Sequence, residues 1–260
     1  MTYSQEQISR YLDRIGLEGP FPQNAESLSR IILAHYQAIP YENLDILAGR
    51  PLCLEPDALF QKIVENRRGG FCFELNEALG CLLSSLGFSV SHLAARFVLG
   101  EPEGVVPMRR HHVLLVHLPD GDYLCDAGVM REAPRMALRL EYGLEQSDGT
   151  ASYRFESDPF YGSLLFQNLN GEGFVPVFGF TREPQVNADF VMPCFYCEKH
   201  PDSPFIRERM VGIYTENGGS WNLVGSSLRR LECGRVQEQR EVAEEEVPEI
   251  LEKIFGIPQK

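Results

Sequence analysis

The stretch HHVLLVHLPDGDYLCDAG, residues 111 to 128, contains two short apolar runs on either side of a PDGD turn. Short apolar runs bounded by turn-forming residues are typical of strands, and proline, aspartate and glycine favour a tight turn. We therefore predict a β-hairpin that brings the start of the first strand beside the end of the second. His112, near the start of the first strand, would then lie close to Asp126. Successive side chains of a strand point to opposite faces, so only one of His111 and His112 can face that carboxylate.

The sequence on the N-terminal side of this hairpin has a helical pattern. Four segments carry apolar residues at helical spacing, namely SQEQISRYLDRI, AESLSRIILAHYQAI, EPDALFQKIVEN and FCFELNEALGCLLSSLG. From about residue 88 the pattern changes to short β-branched or aromatic runs such as FSVSHLAARFVLG and FVPVFGF. The last third is mixed, with a hairpin predicted around NGG and a closing helix in VAEEEVPEILEKIFGI. The pattern predicts an α+β protein with a helical, a β-rich and a mixed lobe.

The charge of the chain argues against two classes of partner. The formal net charge is -13 and the sequence pI is about 5.0. A nucleic-acid binder needs a basic surface, and docking on anionic lipid needs basic residues as well. The N-terminus lacks the pattern of a secretory signal, and no apolar run is long enough to span a membrane. We expect a cytoplasmic protein that binds small molecules, while the sequence does not indicate an oligomeric state.

Cys72, in the segment RRGGFCFELN at residues 67 to 76, is a candidate nucleophile. The glycine pair before it predicts a turn, and Cys72 then falls in the first turn of the following helix. Free N–H groups and the helix dipole favour an anion there, and the thiolate is the reactive form of cysteine. An imidazole oriented by Asp126 would complete a nucleophile, a base and an orienting group. Spacing alone also fits ordinary packing of the cysteine and a simple turn at the aspartate.

The other cysteines do not indicate a disulfide framework, because the chain has seven of them at scattered positions. We expect reduced thiols. Cys194 and Cys197 form a C-x-x-C with His200 three residues further on, but no second pair completes a four-ligand zinc site. We therefore predict no metal.

Four segments together resemble the arylamine N-acetyltransferase family. RRGGFCFELN resembles the active-site motif of that family, and IPYENLDI at residues 39 to 46 resembles its upstream I-P-aromatic-E-N-L segment. HHVLLVHLPDGDYLCDAG resembles the histidine strand and the strand that ends in DAG. DFVMPCFYCEKHPDSPF at residues 189 to 205 resembles the segment that ends in H-P-x-S-x-F. The motifs occur in the order of the family, and the similarity runs over nearly the whole chain.

The resemblance implies an α+β fold with the triad arrangement of cysteine proteases. Its three parts are an N-terminal helical bundle that carries the cysteine, a central β-barrel that carries histidine and aspartate, and a C-terminal α/β lid. We assign these parts to residues 1–88, 89–190 and 191–260.

The resemblance also implies a catalytic triad of Cys72, His112 and Asp126. His112 is preferred to His111 because nine residues separate it from Gly121 of the turn, which is the spacing that we associate with the family. The implied reaction moves an acetyl group from acetyl-CoA to Cys72 and then to the nitrogen of an arylamine, arylhydrazine or N-hydroxyarylamine. Acetyl-CoA is a co-substrate, and no permanently bound cofactor is expected.

Aromatic side chains would suit the aryl ring of such an acceptor. The candidates for substrate binding are Tyr41, Phe71, Phe73 and Phe205. Each of them is also compatible with an ordinary core position. Glu42 and Arg68 are predicted to form an ion pair. The pair would hold the turn before Cys72 against the YEN sequence at residues 41 to 43.

Two segments depart from the family pattern, and one of them is CFYCEKHP at residues 194 to 201, where the family has a polar N-x-x-x-S-T-H-P run. VMREAPRMALRL, which follows DAG, lacks the glycines that lie beside the CoA phosphates in the family, and Arg131 or Arg135 could supply charge instead. The choice between acetyl-CoA and a longer acyl-CoA therefore stays open. Two alternatives also remain, a Cys-His-Asp acyltransferase of transglutaminase or protease type and a non-catalytic homologue that keeps the fold.

Overall fold

The computed structural model describes residues 2–102, 104–130, 133–169 and 171–259. The helices are α1 (Gln5–Arg14), α2 (Ala25–Ala38), α3 (Leu44–Leu47), α4 (Pro56–Phe60), α5 (Cys72–Ser85), α6 (Asn187–Lys199) and α7 (Val247–Lys253). A π-helical turn, Gln61–Glu65, continues α4, and 3-10 turns occupy Pro204–Ile206 and Glu244–Glu246. The four helical segments predicted in the first lobe and the closing helix are present.

Thirteen strands are described. They are β1 (Tyr41–Glu42), β2 (Ser89–Phe97), β3 (Arg109–Leu118), β4 (Gly121–Cys125), β5 (Leu138–Arg139), β6 (Gln146–Ser147), β7 (Ala151–Asp158), β8 (Gly162–Leu169), β9 (Val175–Phe180), β10 (Met210–Tyr214), β11 (Gly219–Val224), β12 (Ser227–Glu232) and β13 (Arg235–Glu241).

Strands β2 to β9 form an antiparallel sheet of eight strands in the order β5-β4-β3-β2-β9-β8-β7-β6. Its two edge strands meet through one side chain, because Gln146 of β6 accepts from the backbone N–H of Arg139 of β5 and donates to its carbonyl. The sheet is therefore a nearly closed barrel around an apolar core that includes Leu93, Phe155 and Phe178. This confirms the predicted barrel and the α+β class.

The C-terminal sheet has five strands in the order β1-β10-β11-β12-β13. Its edge strand β1 comes from the IPYENLDI segment of the first lobe and pairs with β10, with Tyr41 opposite Gly212. Helix α6 begins at Asn187, three residues before the predicted boundary at residue 190. The assignment of residues 1–88, 89–190 and 191–260 to three domains stays a prediction.

Helix α5 lies between the bundle and the barrel and is buried along most of its length. All of its residues from Cys72 to Leu83 are buried, including the polar side chains of Glu74, Asn76 and Glu77. Buried polar groups need partners, so these three side chains mark places where the helix contacts functional or structural groups. Among the described residues, no helix is both long and apolar enough to cross a membrane.

Candidate active site

The turn before Cys72 packs directly on the backbone of the first lobe. A side-chain carbon at Gly69 would lie 1.9 Å from the carbonyl oxygen of Pro40, so this position has no room for any residue but glycine. The N–H of Glu42 donates to the carbonyl of Gly70 at 2.8 Å. Cys72 then begins α5, as predicted, and its thiol is buried. The glycine pair therefore fixes the position of the cysteine relative to β1.

A buried group of charges holds the same turn. Arg68 donates from Nε and Nη2 to Oε1 of Glu42, at 3.0 and 2.7 Å. The predicted pair of Glu42 and Arg68 is therefore present. Lys62 adds two ion pairs, to Asp45 at 2.8 Å and to Glu74 of α5 at 2.7 Å. Burial alone would lower the pKa of Lys62, but the carboxylates around it raise the pKa and keep the ammonium charged.

His111 is the histidine that contacts Asp126. Its Nε2 atom lies 2.7 Å from Oδ2 of Asp126, and its ring lines the same cavity as Cys72. His112 is on the opposite face of β3, where its ring stacks on Phe190 at 4.2 Å and its Nε2 atom lies 2.9 Å from Nδ1 of His92. The expectation that His112 faces Asp126 is therefore wrong, and His111 takes that place.

The register of the hairpin explains this result. Strands β3 and β4 pair with Leu118 opposite Gly121 and Leu114 opposite Cys125. One further step places Asp126 opposite Val113, and side chains two residues apart share a face. His111 therefore lies on the face of Asp126, while His112 lies on the other face. The two-residue turn fixes this register, so counting from the turn would have identified His111 in the sequence.

Asn76 connects the carboxylate of Asp126 to helix α5, a contact that the sequence patterns did not indicate. Its Nδ2 atom donates to Oδ1 of Asp126 at 2.8 Å and to the carbonyl of His112 at 2.6 Å. Its Oδ1 atom accepts from the N–H of Ala127 at 2.8 Å. The N–H of Gly128 also donates to Oδ1 of Asp126, at 2.7 Å. Asn76 lies one helical turn after Cys72, and this spacing was the available sequence signal.

A cavity of about 240 Å³ opens beside the thiol. Its wall is largely apolar and is formed by Tyr41, Cys72, Phe97, Leu99, Arg110, His111, Gly128, Val129, Met130, Pro204, Phe205 and Met210. Tyr41 and Phe205 line this cavity, and their role in substrate binding stays a prediction. Phe71 and Phe73 do not line it, because both are almost fully buried and pack on each other at 5.4 Å between ring centroids. Their role is in the core beneath the site.

Arg110 lines the cavity and was not predicted from the sequence. The pairing of β2 with β3 shifts between Ala95 and Arg96, which leaves Arg110 as an extra residue in a β-bulge. Its carbonyl oxygen lies 3.8 Å from Sγ of Cys72, and its guanidinium is 3.5 Å from Glu101. The bulge therefore turns the chain toward the thiol directly before His111.

The surroundings of Cys72 act in opposite directions on its pKa. Burial raises the pKa of the thiol well above its ordinary range, and hydrogen bonds from backbone groups of His112 and Phe73 offset only part of this rise. A positively charged group beside the sulfur would stabilise the buried thiolate. The dipole at the start of α5 adds to this effect.

Of the two arginines considered for phosphate binding, Arg135 does not line this cavity. Arg131 lies outside the described residues. Arg135 donates to the carbonyl of Gly219 at 3.1 Å and packs over the ring of Tyr214 at 4.5 Å, away from the cavity of Cys72. All seven cysteines, including Cys194 and Cys197, are free thiols.

The chain matches known proteins over almost its full length. The family model described as N-acetyltransferase matches residues 24 to 260. The arylamine N-acetyltransferase of Mycolicibacterium smegmatis is 36% identical over 96% of this chain and 91% of the relative. The chain belongs to the arylamine N-acetyltransferase family. The family is one of acyltransferases, so the protein is an enzyme of this class.

Solved structures of arylamine N-acetyltransferases agree with this fold. The structure from Salmonella typhimurium superposes with a TM-score of 0.93 at 29% identity and covers 98% of this chain and 92% of that one. The structure from Mycobacterium marinum, solved in complex with CoA, superposes with a TM-score of 0.89 at 32% identity. It covers 96% of this chain and 92% of the other. The bundle, barrel and C-terminal sheet are therefore those of the arylamine N-acetyltransferases.

Proposed function

We propose that this protein transfers an acetyl group from acetyl-CoA to the nitrogen of an arylamine, arylhydrazine or N-hydroxyarylamine through acetyl-Cys72. The observation that carries the proposal is the hydrogen bond between His111 and Asp126 in the wall of the cavity that also contains Cys72. Family membership and the CoA complex of the M. marinum relative support the choice of donor.

His111 is the base in the first half-reaction. Asp126 accepts a hydrogen bond from the N–H at Nε2, so Nδ1 is the nitrogen that remains to take the proton of the thiol. The thiolate of Cys72 attacks the carbonyl carbon of the thioester, a new C–S bond forms, and the C–S bond to CoA breaks. The leaving CoA thiolate takes the proton from His111. Because one thioester replaces another, this step is close to thermoneutral and can run in both directions.

The acceptor amine reacts in the second half-reaction. An arylamine is a weak base and is neutral at working pH, so its nitrogen attacks acetyl-Cys72 without prior loss of a proton. His111 accepts a proton from the nitrogen as the C–S bond breaks and the thiolate of Cys72 leaves. The apolar wall of the cavity, with Tyr41 and Phe205, suits the aryl ring.

The proposal is tested by mass spectrometry of the intact protein after incubation with acetyl-CoA and no amine. We expect one acetyl group on the wild type, its loss when an arylamine is added, and no adduct on Cys72→Ala. Cys53→Ala, which removes an exposed thiol, serves as the control and should behave as wild type. An adduct that persists in Cys72→Ala would refute the nucleophile. An adduct with a longer acyl-CoA but not with acetyl-CoA would refute the donor.

A further inference from the structure

Three metal-ligating side chains meet on the far side of β3 from the active site. They are Glu77 of α5, His92 of β2 and His112 of β3. The Nδ1 atom of His92 lies 2.9 Å from Nε2 of His112 and 3.3 Å from Oε2 of Glu77. The three ligand atoms all lie within 4.8 Å of one another. Zinc bonds of about 2.0–2.2 Å would separate ligand atoms by roughly 3.4 Å in a tetrahedral site, so these distances suit one shared ion.

The charges of this cluster favour a cation. His112 is fully buried and the side chain of His92 is largely buried, and burial disfavours the positively charged form of an imidazole. Neutral imidazole is the metal-binding form of histidine. In the described part of the chain, no lysine or arginine forms an ion pair with Glu77. A single proton can join only two of the three atoms, whereas a metal ion can bind all three.

Two neighbouring residues shape the cluster. A side-chain carbon at Gly80 of α5 would lie 2.6 Å from Cε1 of His92, so glycine leaves the space that the ring occupies against the helix. The side-chain amide of Asn187 is best oriented with its nitrogen towards Glu77. In this orientation the nitrogen lies 3.1 Å from both carboxylate oxygens of Glu77. Such outer hydrogen bonds commonly orient a ligating carboxylate. The side chain of His92 is 22% exposed, which gives an ion access from solvent.

We propose that Glu77, His92 and His112 form a binding site for a divalent first-row transition metal, of which zinc is the ion to test. Two imidazoles and one carboxylate suit zinc and disfavour magnesium and calcium, which prefer oxygen ligands. Water from the exposed side of His92 supplies the fourth ligand. The ion ties α5, which begins at Cys72, to the two strands that lie behind the active site. This site is distinct from the C-x-x-C that Cys194 and Cys197 form.

The test uses the metal-stripped full chain with Cys72→Ala, so that zinc does not bind the catalytic thiol. Equilibrium dialysis should give one zinc per chain, and a concentration 100 times the Kd should raise the Tm by roughly 5 °C. His92→Gln and Glu77→Gln, each added to this background, should weaken binding at least tenfold. His117→Gln, which removes another imidazole of β3, is the matched control and should bind as the parent. Gly80→Ala should weaken binding without removal of a ligand.

Several results would overturn the proposal. One is the absence of bound zinc in the parent, and another is equal affinity in the parent, His92→Gln and Glu77→Gln. Cobalt(II) gives an independent readout, because thiolate ligands produce an intense charge-transfer band that nitrogen and oxygen ligands lack. Such a band would place the ion at a cysteine and would also refute the site. Near-ultraviolet circular dichroism checks that each variant is folded, and the Gly80→Ala result remains informative if a ligand variant unfolds.

Discussion

The exchange of Asp126 for asparagine tests how His111 is oriented. The carboxylate accepts three hydrogen bonds, two at Oδ1 from Asn76 and the N–H of Gly128, and one at Oδ2 from His111. Asparagine offers one oxygen and one NH2 group. The donors on the Oδ1 side cannot become acceptors, so the oxygen takes that side and the NH2 group faces His111. Nε2 of His111 must then accept a hydrogen bond, and its proton moves to Nδ1.

With the proton on Nδ1, His111 cannot take the proton of Cys72. The corresponding exchange in a Ser-His-Asp triad lowers kcat by about 10⁴ through the same change of tautomer. We expect a loss of about 10³- to 10⁴-fold here, or roughly 4–5.5 kcal/mol in the barrier. Since size and shape hardly change, the free energy of unfolding should fall by only about 1–2 kcal/mol.

The assay is the rate of acetylation of Cys72 in a single turnover, with the Tm measured on the same samples. The chain offers a matched control on the same hairpin, because Asp122 contacts His117 at 2.6 Å in an exposed Asp–His pair. Asp122→Asn should keep the rate within about twofold, since exposed pairs contribute little. A rate for Asp126→Asn above one-tenth of the wild-type rate would show that His111 does not depend on Asp126 for its tautomer.

Three further predictions concern stability and packing. Arg68→Met leaves the buried carboxylate of Glu42 without its cation and should lower the free energy of unfolding in urea by about 3 kcal/mol. The control Arg10→Met breaks an exposed ion pair and should lower it by less than about 1 kcal/mol. Gly128→Ala places a carbon 2.6 Å from Cα of Cys72 and should lower kcat at least about 100-fold, measured beside the Tm. Burial lowers the pKa of His35 from 6.5 to about 3. As the pH falls, His35 is therefore protonated in the unfolded chain before it is protonated in the folded chain. Stability should therefore fall as the pH drops from 6.5 towards 3, and His35→Gln should reduce that slope in urea titrations at several pH values.

The sequence predicts the parts of this fold that depend on local pattern. The helix that begins at Cys72 and the hairpin from His111 to Asp126 follow from periodicity and turn residues. The choice between His111 and His112 could have been made from the two-residue turn, because alternation along a strand is strict. The contact of Asn76 with Asp126 joins residues 50 positions apart, and local pattern does not encode it. Phe71 and Phe73 were expected in the cavity because an aromatic side chain suits a core and a binding wall equally.

The two-residue strand β1 has a consequence for synthesis of the chain. Its partner β10 lies about 170 residues later in the chain. Strand β1 also supports the glycine turn before Cys72, through the hydrogen bond from Glu42 to Gly70. Contacts between distant segments form late, because a long loop must close before they stabilise the chain. A ribosome has therefore made most of the protein before the support of the nucleophile is complete. We expect a nascent chain stalled before residue 210 to hold an immature, slowly alkylated thiol at position 72, which pulse labelling can measure.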